Sequence, residues 1–127
     1  MKIGITLDVP DIGQALAFYG AVFGFREVAR PVPVYAVVAS GDQSLGLKQA
    51  AAGTAPTPAA GPVRDYARHW TPVHLDFHVE AFEPTLKALT AAGGQIEQRY
   101  PGGDGRPPVA FCSDPFGHGL CVLGPRP

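Results

Sequence analysis

The sequence repeats one residue pattern after 70 positions, with no gap between the two copies. The residues that recur are apolar side chains and the glycines that punctuate them. The shift places Ile5 on Leu75, Leu7 on Phe77, Val9 on Val79, Leu16 on Leu86, Ala21 on Ala91 and Gly24 on Gly94. Since a fixed internal period marks a repeated structural unit, we expect the two halves of the chain to share one fold.

Each copy begins with a strand that is followed by a helix. Alternating apolar residues predict strands with one covered face, because strand side chains alternate between the two faces of a sheet. These residues are Ile3, Ile5, Leu7 and Val9 in the first half, and Leu75, Phe77 and Val79 in the second. The first helix is predicted between a capping Asp11 and Gly24, and the second between Pro84 in its first turn and the glycines at 93 and 94.

Three short extended runs follow each helix. They cover 26–29, 34–39 and 44–49 in the first half, and 95–99, 109–113 and 119–123 in the second. Turn residues at 41–43 and 114–117 predict a hairpin between the last two strands of each half. Both halves therefore have the pattern βαβββ, and the predicted fold class is α+β, with two βαβββ modules in one domain.

The connections between these elements set the module boundaries. The modules are predicted at about 1–49 and 71–124 of a single domain over 1–127, joined by a crossover loop at 50–70. Residues 50–62 are only Ala, Gly, Thr and Pro, which predicts a mobile segment. Residues 64–70 are predicted to add one short helical turn. The glycine-rich 101–108 is predicted to be a flexible hairpin loop, because it lacks the context of a phosphate-binding loop.

Composition limits the partners of this 127-residue chain. Ten Lys and Arg against eleven Asp and Glu give a net charge of −1, so we expect neither nucleic acid nor an anionic membrane as a partner. We expect no secretory signal and no apolar run long enough to cross a bilayer. A cytoplasmic location is therefore expected, with Cys112 and Cys121 as reduced thiols and a cross-strand disulfide as the alternative.

Segments 7–11, 17–25 and 114–118, together with the doubled βαβββ pattern, resemble the vicinal oxygen chelate superfamily. That superfamily contains glyoxalase I, extradiol dioxygenases, fosfomycin-resistance transferases and metal-free bleomycin-resistance binding proteins. The resemblance covers about 2–123. It implies mixed sheets rolled into a cup with helices outside, metal ligands on the first and last strand of each module, and a homodimer.

Strand parity decides which residues would face that cup. If the apolar residues of the opening strands pack on the helices, their polar neighbours point the other way. The predicted ligand-binding residues are Thr6, Asp8, Tyr35, Lys48, His74, Asp76, His78 and Cys121. Aromatic residues that could stack on a planar ligand are Tyr35, Tyr66, Trp70, Tyr100 and Phe116. Arg64, Arg68 and His69 form a small basic cluster that is expected to belong to a solvated turn, with contact to an anionic substrate as the alternative.

The metal-ligand pattern that the resemblance implies is mostly unfilled. His74 occupies its place on the opening strand of the second module, but Gly4 and Gly46 stand at the places in the first module, and Cys121 replaces the usual glutamate. No metal cofactor is therefore predicted. The alternative is a divalent metal held by His74, Cys121 and one carboxylate, Asp8 or Asp76. His74 and His78 are too far apart along one strand to share an ion.

Two functions remain open on these grounds. The first is a glyoxalase or bleomycin-resistance-like protein that binds a small aromatic or apolar molecule without an intact metal triad. The alternative is a metal-dependent lyase, isomerase or dioxygenase-like enzyme that uses His74 and Cys121 as ligands. Metal-free acid–base catalysis by His74, Asp76 and His78 is a third option.

Overall fold

The computed structural model of the protein describes residues 1–59 and 61–127. Residue 60, in the predicted crossover loop, lies outside the described residues. The chain forms two compact units, Met1–Tyr66 and Ala67–Pro127. In the described part of the chain, neither helix is long and apolar enough to span a bilayer.

The first unit contains one helix and four strands. The order is β1 (Thr6–Val9), α1 (Ile12–Phe23), β2 (Arg26–Val32), β3 (Tyr35–Ser40) and β4 (Gln43–Gln49). The strands form one mixed sheet in the order β1-β4-β3-β2. β1 and β4 are parallel, and the other neighbours are antiparallel.

The second unit repeats this topology. It consists of β5 (Leu75–His78), α2 (Phe82–Ala91), β6 (Gln95–Tyr100), β7 (Val109–Ser113) and β8 (Gly119–Leu123). Its sheet order is β5-β8-β7-β6, and the parallel pair is β5 with β8. The predicted α+β fold of two βαβββ modules is confirmed.

Local signals place the helix ends where the sequence predicts them. The Asp11 carboxylate accepts the backbone N–H of Gln14 at 2.8 Å, which satisfies one of the free donors of the first turn of α1. Gly24 ends α1 with a φ of 71°, a left-handed conformation that glycine adopts without a steric penalty. Gly93 follows α2 with a φ of 97°.

Each sheet buries one face against its own helix. In the first unit, alternate residues of β3 and β4 are buried with the apolar side of α1, namely Ala36, Val38, Leu45, Leu47, Ala15, Phe18 and Val22. In the second unit, Leu86 and Leu89 of α2 are buried with Cys112, Leu120 and Val122. The other face of each sheet, called here its open face, carries the predicted polar residues.

Two expectations are corrected. Ile3 and Ile5, predicted to lie on a covered strand face, are 77% and 41% exposed, and β1 begins only at Thr6. Residues 64–70 form no helical turn. The reason is that the backbone N–H and C=O of Arg64 are already bonded to Thr54 and Gly53, at 2.9 and 2.8 Å.

Candidate functional site

The open face of the second sheet gathers the polar residues of that module. Asp76 lies beside Cys121 in the β5–β8 register, and Phe111 lies on the other side of Cys121 in the β7–β8 register. Residues that are direct neighbours in a sheet project from the same face. Cys112 pairs with Leu120 and therefore projects from the opposite, helix-covered face. Since the two cysteines point to opposite faces, they are free thiols, and the alternative of a disulfide is wrong.

Three of these side chains form a close cluster. The Nδ1 atom of His74 is 2.8 Å from Oδ1 of Asp76 and 3.8 Å from Sγ of Cys121. The three ligand atoms all lie within 4.8 Å of one another. His74 and Asp76 are accessible to solvent, whereas Cys121 is only 3% exposed. The cluster thus presents a hydrogen-bonded histidine and carboxylate above a buried thiol.

The Cys121 thiol is poorly suited to act as a nucleophile. Burial, followed by the neighbouring charge and hydrogen bond of Asp76, raises the pKa of Cys121 to about 12. This group is therefore protonated at neutral pH. Since the thiolate is the reactive form of cysteine, Cys121 has little nucleophilic character there. Cys121 and Asp76 also meet the same nitrogen of His74, so the ring is not placed as a relay between them.

Trp70 stands beside this cluster. Its ring centroid is 4.9 Å from that of His74 and 5.5 Å from that of Phe111. A Cβ added to Gly119 would lie 2.6 Å from the Trp70 ring, so the ring rests directly on the glycine backbone. Trp70 is nevertheless 44% exposed. Trp70 was predicted to be a stacking residue, but no pattern in the sequence indicates these contacts.

Arg68 holds the segment that carries Trp70. Its Nε and Nη2 atoms donate to the two carboxylate oxygens of Glu97 at 2.6 and 2.7 Å, which is a bidentate pair. The guanidinium lies 5.4 Å from the Trp70 ring centroid. The hydrogen bond to Glu97 raises the pKa of Arg68 further above its usual value. The expectation that Arg68 is simply solvated is wrong.

The first unit fills the corresponding positions differently. Thr6 lies beside Gly46 in the β1–β4 register, as Asp76 lies beside Cys121. A Cβ added to Gly46 would lie only 2.1 Å from the Tyr35 hydroxyl, which bonds to Oγ1 of Thr6 at 3.0 Å. Two hydroxyls thus occupy the place that holds a histidine, a carboxylate and a thiol in the second unit.

Asp8 is paired with Arg64. The Nε atom of Arg64 donates to Oδ2 of Asp8 at 2.8 Å, and the Arg64 side chain is only 11% exposed. The same guanidinium donates to Thr54 and to the carbonyl of Ala55, each at 3.2 Å. Arg64 is therefore not the solvated residue that was expected, and it fastens the crossover loop to β1.

The remaining predicted residues take different places. Lys48 neighbours Asp8 and Tyr35 on the open face of the first sheet. His78 shares its face with His74 and Asp76 and is exposed. The Tyr66 hydroxyl donates to the carbonyl of Ala50 at 2.7 Å. Phe116, which was predicted to stack on a ligand, is buried, so its ring is not accessible to a ligand.

Comparison with protein families gives a match over nearly the whole sequence. Residues 4–123 match the model of the glyoxalase-like domain family. This chain belongs to that family. The match confirms the resemblance to the vicinal oxygen chelate superfamily. No significant match was found among curated proteins.

Solved structures with the same fold include enzymes of this superfamily. The fosfomycin resistance protein FosX from Listeria monocytogenes is 15% identical, with a TM-score of 0.73, over 100% of this chain and 92% of that chain. A glyoxalase-related enzyme from Fulvimarina pelagi is 23% identical, with a TM-score of 0.70, over 98% and 88%. A variant of the Listeria protein was solved with Mn(II) and 1S,2S-dihydroxypropylphosphonic acid. At these identities the likeness shows the fold alone.

The cluster in the second unit also fits a small divalent metal. Zinc bonds of about 2.0–2.3 Å place two ligand atoms roughly 3.3–3.8 Å apart. The 3.8 Å separation of Cys121 Sγ from His74 Nδ1 agrees with this, whereas the 2.8 Å contact of His74 with Asp76 would have to lengthen. A donor set of sulfur, nitrogen and oxygen suits zinc better than manganese. Asp76 is the carboxylate that joins His74 and Cys121 here.

Proposed function

We propose that this protein binds a small planar aromatic or apolar molecule on the open face of its second sheet. The observation that carries the proposal is the half-exposed ring of Trp70, which stands 4.9 Å from His74 and is held by the Arg68–Glu97 pair. An exposed ring fixed in one orientation loses little conformational freedom when a flat molecule stacks on it.

The polar groups beside Trp70 would orient such a ligand. His74 and Asp76 are joined by a hydrogen bond and keep part of their surface accessible, so each can bind a polar group of the ligand. The Cys121 thiol, which is only 3% exposed, lies beneath this pair and would form the base of the site. We propose His78, which shares its face with His74 and Asp76, as a further binding residue.

We propose that this binding needs no metal. Two of the places that hold metal ligands in the family are glycines, Gly4 and Gly46, and the Tyr35 hydroxyl lies where a side chain of Gly46 would be.

The family match over 4–123 supports the treatment of both modules as one domain.

Trp70 is the single tryptophan of the chain, so its emission reports on the proposed site. We expect nitrobenzene, a flat and neutral quencher, to quench it along a saturable curve. Free N-acetyltryptophanamide is the control for collisional quenching, which rises without saturation. A non-saturating curve for the protein would contradict the proposal.

A second candidate is a metal-dependent enzyme, and the observation that favours it is the grouping of His74, Asp76 and Cys121. A bound divalent ion would supply polarisation of a substrate oxygen. In this arrangement Cys121 would have to lose its proton and His74 would exchange its bond to Asp76 for one to the ion. Elemental analysis of dialysed protein separates the two candidates.

We also infer a homodimer, from the superfamily resemblance, and a cytoplasmic location, which the two free thiols support. Analytical ultracentrifugation of the purified chain tests the dimer: a single monomeric species at all concentrations would contradict it.

A further inference from the structure

A cavity of about 370 Å³ lies in the second unit. The start of α2, the end of β6 and the loop that follows β6 form its walls, and it is open to solvent on one side. The lining residues are Phe82, Glu83, Arg99, Tyr100, Pro101, Gly102 and Pro108. Its volume falls within the range that is typical of small-molecule sites. None of the residues in the His74–Asp76–Cys121 cluster lines it.

The loop that forms one wall is closed by its own hydrogen bonds. Gly103 and Arg106 exchange backbone N–H···O=C bonds of 3.0 Å in both directions. The N–H of Gly124 donates to the carbonyl of Pro108 at 3.0 Å, which joins the far end of the loop to the residue after β8. A Cβ on Gly124 would lie 2.8 Å from Pro108 and 2.9 Å from Phe82, so the floor is tightly packed. A ligand would enter walls that are already formed.

Arg99 supplies the positive charge of this cavity, and Glu83 supplies a negative one. The guanidinium carbon of Arg99 lies 5.8 Å from the centroid of the Phe82 ring, and one of its Nη atoms is hydrogen-bonded to Glu83. The side chains of Arg99 and Glu83 are 48% and 67% exposed. A guanidinium has five N–H donors in a planar fork, so the contact with Glu83 leaves donors that can bind a second carboxylate.

We propose that this cavity is a second binding site and that its ligand is a small aromatic carboxylate. The ring of the ligand would lie among Phe82, Pro101 and Pro108, while its carboxylate binds Arg99. Apolar rings beside a guanidinium that keeps N–H donors for a second carboxylate are complementary to a flat molecule with one anionic end. This proposal does not depend on the proposed function, since neither Trp70 nor any residue of the His74–Asp76–Cys121 cluster lines the cavity. The two sites are neighbours, because the Tyr100 ring of the cavity contacts Phe111 at 5.7 Å and Phe111 contacts Trp70 at 5.5 Å.

Benzoate is the probe that tests the proposal, and benzyl alcohol is its neutral counterpart. In a titration of the ¹⁵N-labelled protein followed by NMR, benzoate should shift the amide signals of Phe82, Glu83, Arg99 and Gly102 along a saturable curve. Benzyl alcohol should bind about tenfold more weakly, because it lacks the charge that Arg99 recognises.

Variants of two arginines on this side of the unit locate the effect. Arg99→Gln should weaken benzoate binding by about tenfold, and Arg99→Lys should give an intermediate loss, because lysine keeps the charge but not the fork. Arg106→Gln is the matched control: this arginine lies in the loop that forms one wall, its side chain is 80% exposed, and it does not line the cavity. The amide spectrum of each variant shows whether it remains folded.

Equal affinity for benzoate and benzyl alcohol would overturn the proposal, as would unchanged benzoate binding by Arg99→Gln. The absence of saturable shifts at millimolar benzoate would overturn it too. Quenching of Trp70 by nitrobenzene should be unaffected by Arg99→Gln, so failure at one site is distinguishable from failure at the other.

Discussion

The two sheets have the same strand order and the same parallel pairing of their first and last strands, yet their open faces carry different chemistry. At matching positions the first unit has Thr6 beside Gly46, with the Tyr35 hydroxyl above the glycine, and the second has Asp76 beside Cys121. The helix-covered faces remain apolar in both units. The repeat thus preserves what folding requires, and the open faces are free to differ because little of the fold depends on them.

The hairpin turns differ in the same way. Asp42, in the turn between β3 and β4, is exposed and accepts a hydrogen bond from the side-chain amide of Gln43. Asp114, which follows β7, is buried and accepts from the backbone N–H groups of Phe116 and His118 and from Nδ1 of His118. We infer that the second turn is a structural anchor of its unit and that the first is not.

The largest expected effect compares these two turns. Asp114→Ala leaves buried donors without a partner and should lower the free energy of unfolding by about 2–4 kcal/mol. Asp42→Ala should change it by less than about 0.5 kcal/mol, because Asp42 and its partner Gln43 are both exposed to water. Urea denaturation measures both, and similar losses for the two variants would contradict the comparison.

Trp70→Ala tests which open face binds the ligand. Loss of the Trp70 ring should weaken binding of a flat apolar probe by roughly tenfold or more, since stacking and burial of such a ring contribute about 1–3 kcal/mol. Calorimetric titration with nitrobenzene measures this without the tryptophan signal. Tyr35→Phe, on the open face of the first sheet, should leave the affinity unchanged, and an equal loss there would place the ligand elsewhere.

Gly119→Ala addresses the position of the Trp70 ring. The added Cβ would lie 2.6 Å from that ring and should move it off the sheet, with a change in its emission maximum and about fivefold weaker probe binding. Ser44 is the matching position in the first unit, where it is exposed. Ser44→Ala should change neither quantity, and an unmoved emission spectrum in Gly119→Ala would refute the contact.

The thiols make the second unit sensitive to alkaline pH. Burial raises the pKa of Cys112 to about 11 and that of Cys121 to about 12, from an ordinary value of 9.0. The unfolded chain therefore loses these protons first, and stability present below pH 9 is lost as pH rises toward 12. At pH 10 the loss should be roughly 1 kcal/mol per thiol.

Urea unfolding of the protein and of Cys121→Ala at pH 8 and 10 measures this loss. The alanine variant should lose less stability between these two pH values than the unchanged protein does. The same loss in both would show that the buried thiol is not the cause.

The smallest effect is expected in the first unit. Thr6→Val removes an exposed hydrogen bond, the one between the hydroxyls of Thr6 and Tyr35. The free energy of unfolding should therefore fall by less than about 1 kcal/mol. A loss above about 2 kcal/mol would mean that the hydroxyl pair is part of the core.

Local patterns predicted most of the fold, because the forces that set it are local. The cap at Asp11, the glycine at 24 and the alternation around Leu75 each act within a few residues of their own position. Strand parity also placed His74 and Asp76 on one face with Cys121, since parity needs only the register of adjacent strands.

The contacts that the sequence did not reveal join distant residues. Arg64 meets Asp8 across 56 positions and Arg68 meets Glu97 across 29, and no periodicity signals either pair. For the same reason the helical turn at 64–70 was wrong, since Arg64 bonds to the crossover loop instead of its helical neighbours. The role of Gly46 depends on where the Tyr35 ring lies, which the strand pattern does not fix.

The most direct test of metal-free binding is the metal content of natively purified protein after dialysis, measured together with nitrobenzene binding. We expect far less than one divalent ion per chain and saturable quenching of Trp70 in the same sample. About one zinc or other divalent ion per chain that survives dialysis, and that Cys121→Ser or His74→Ala removes, would contradict this account and establish the metal-dependent alternative.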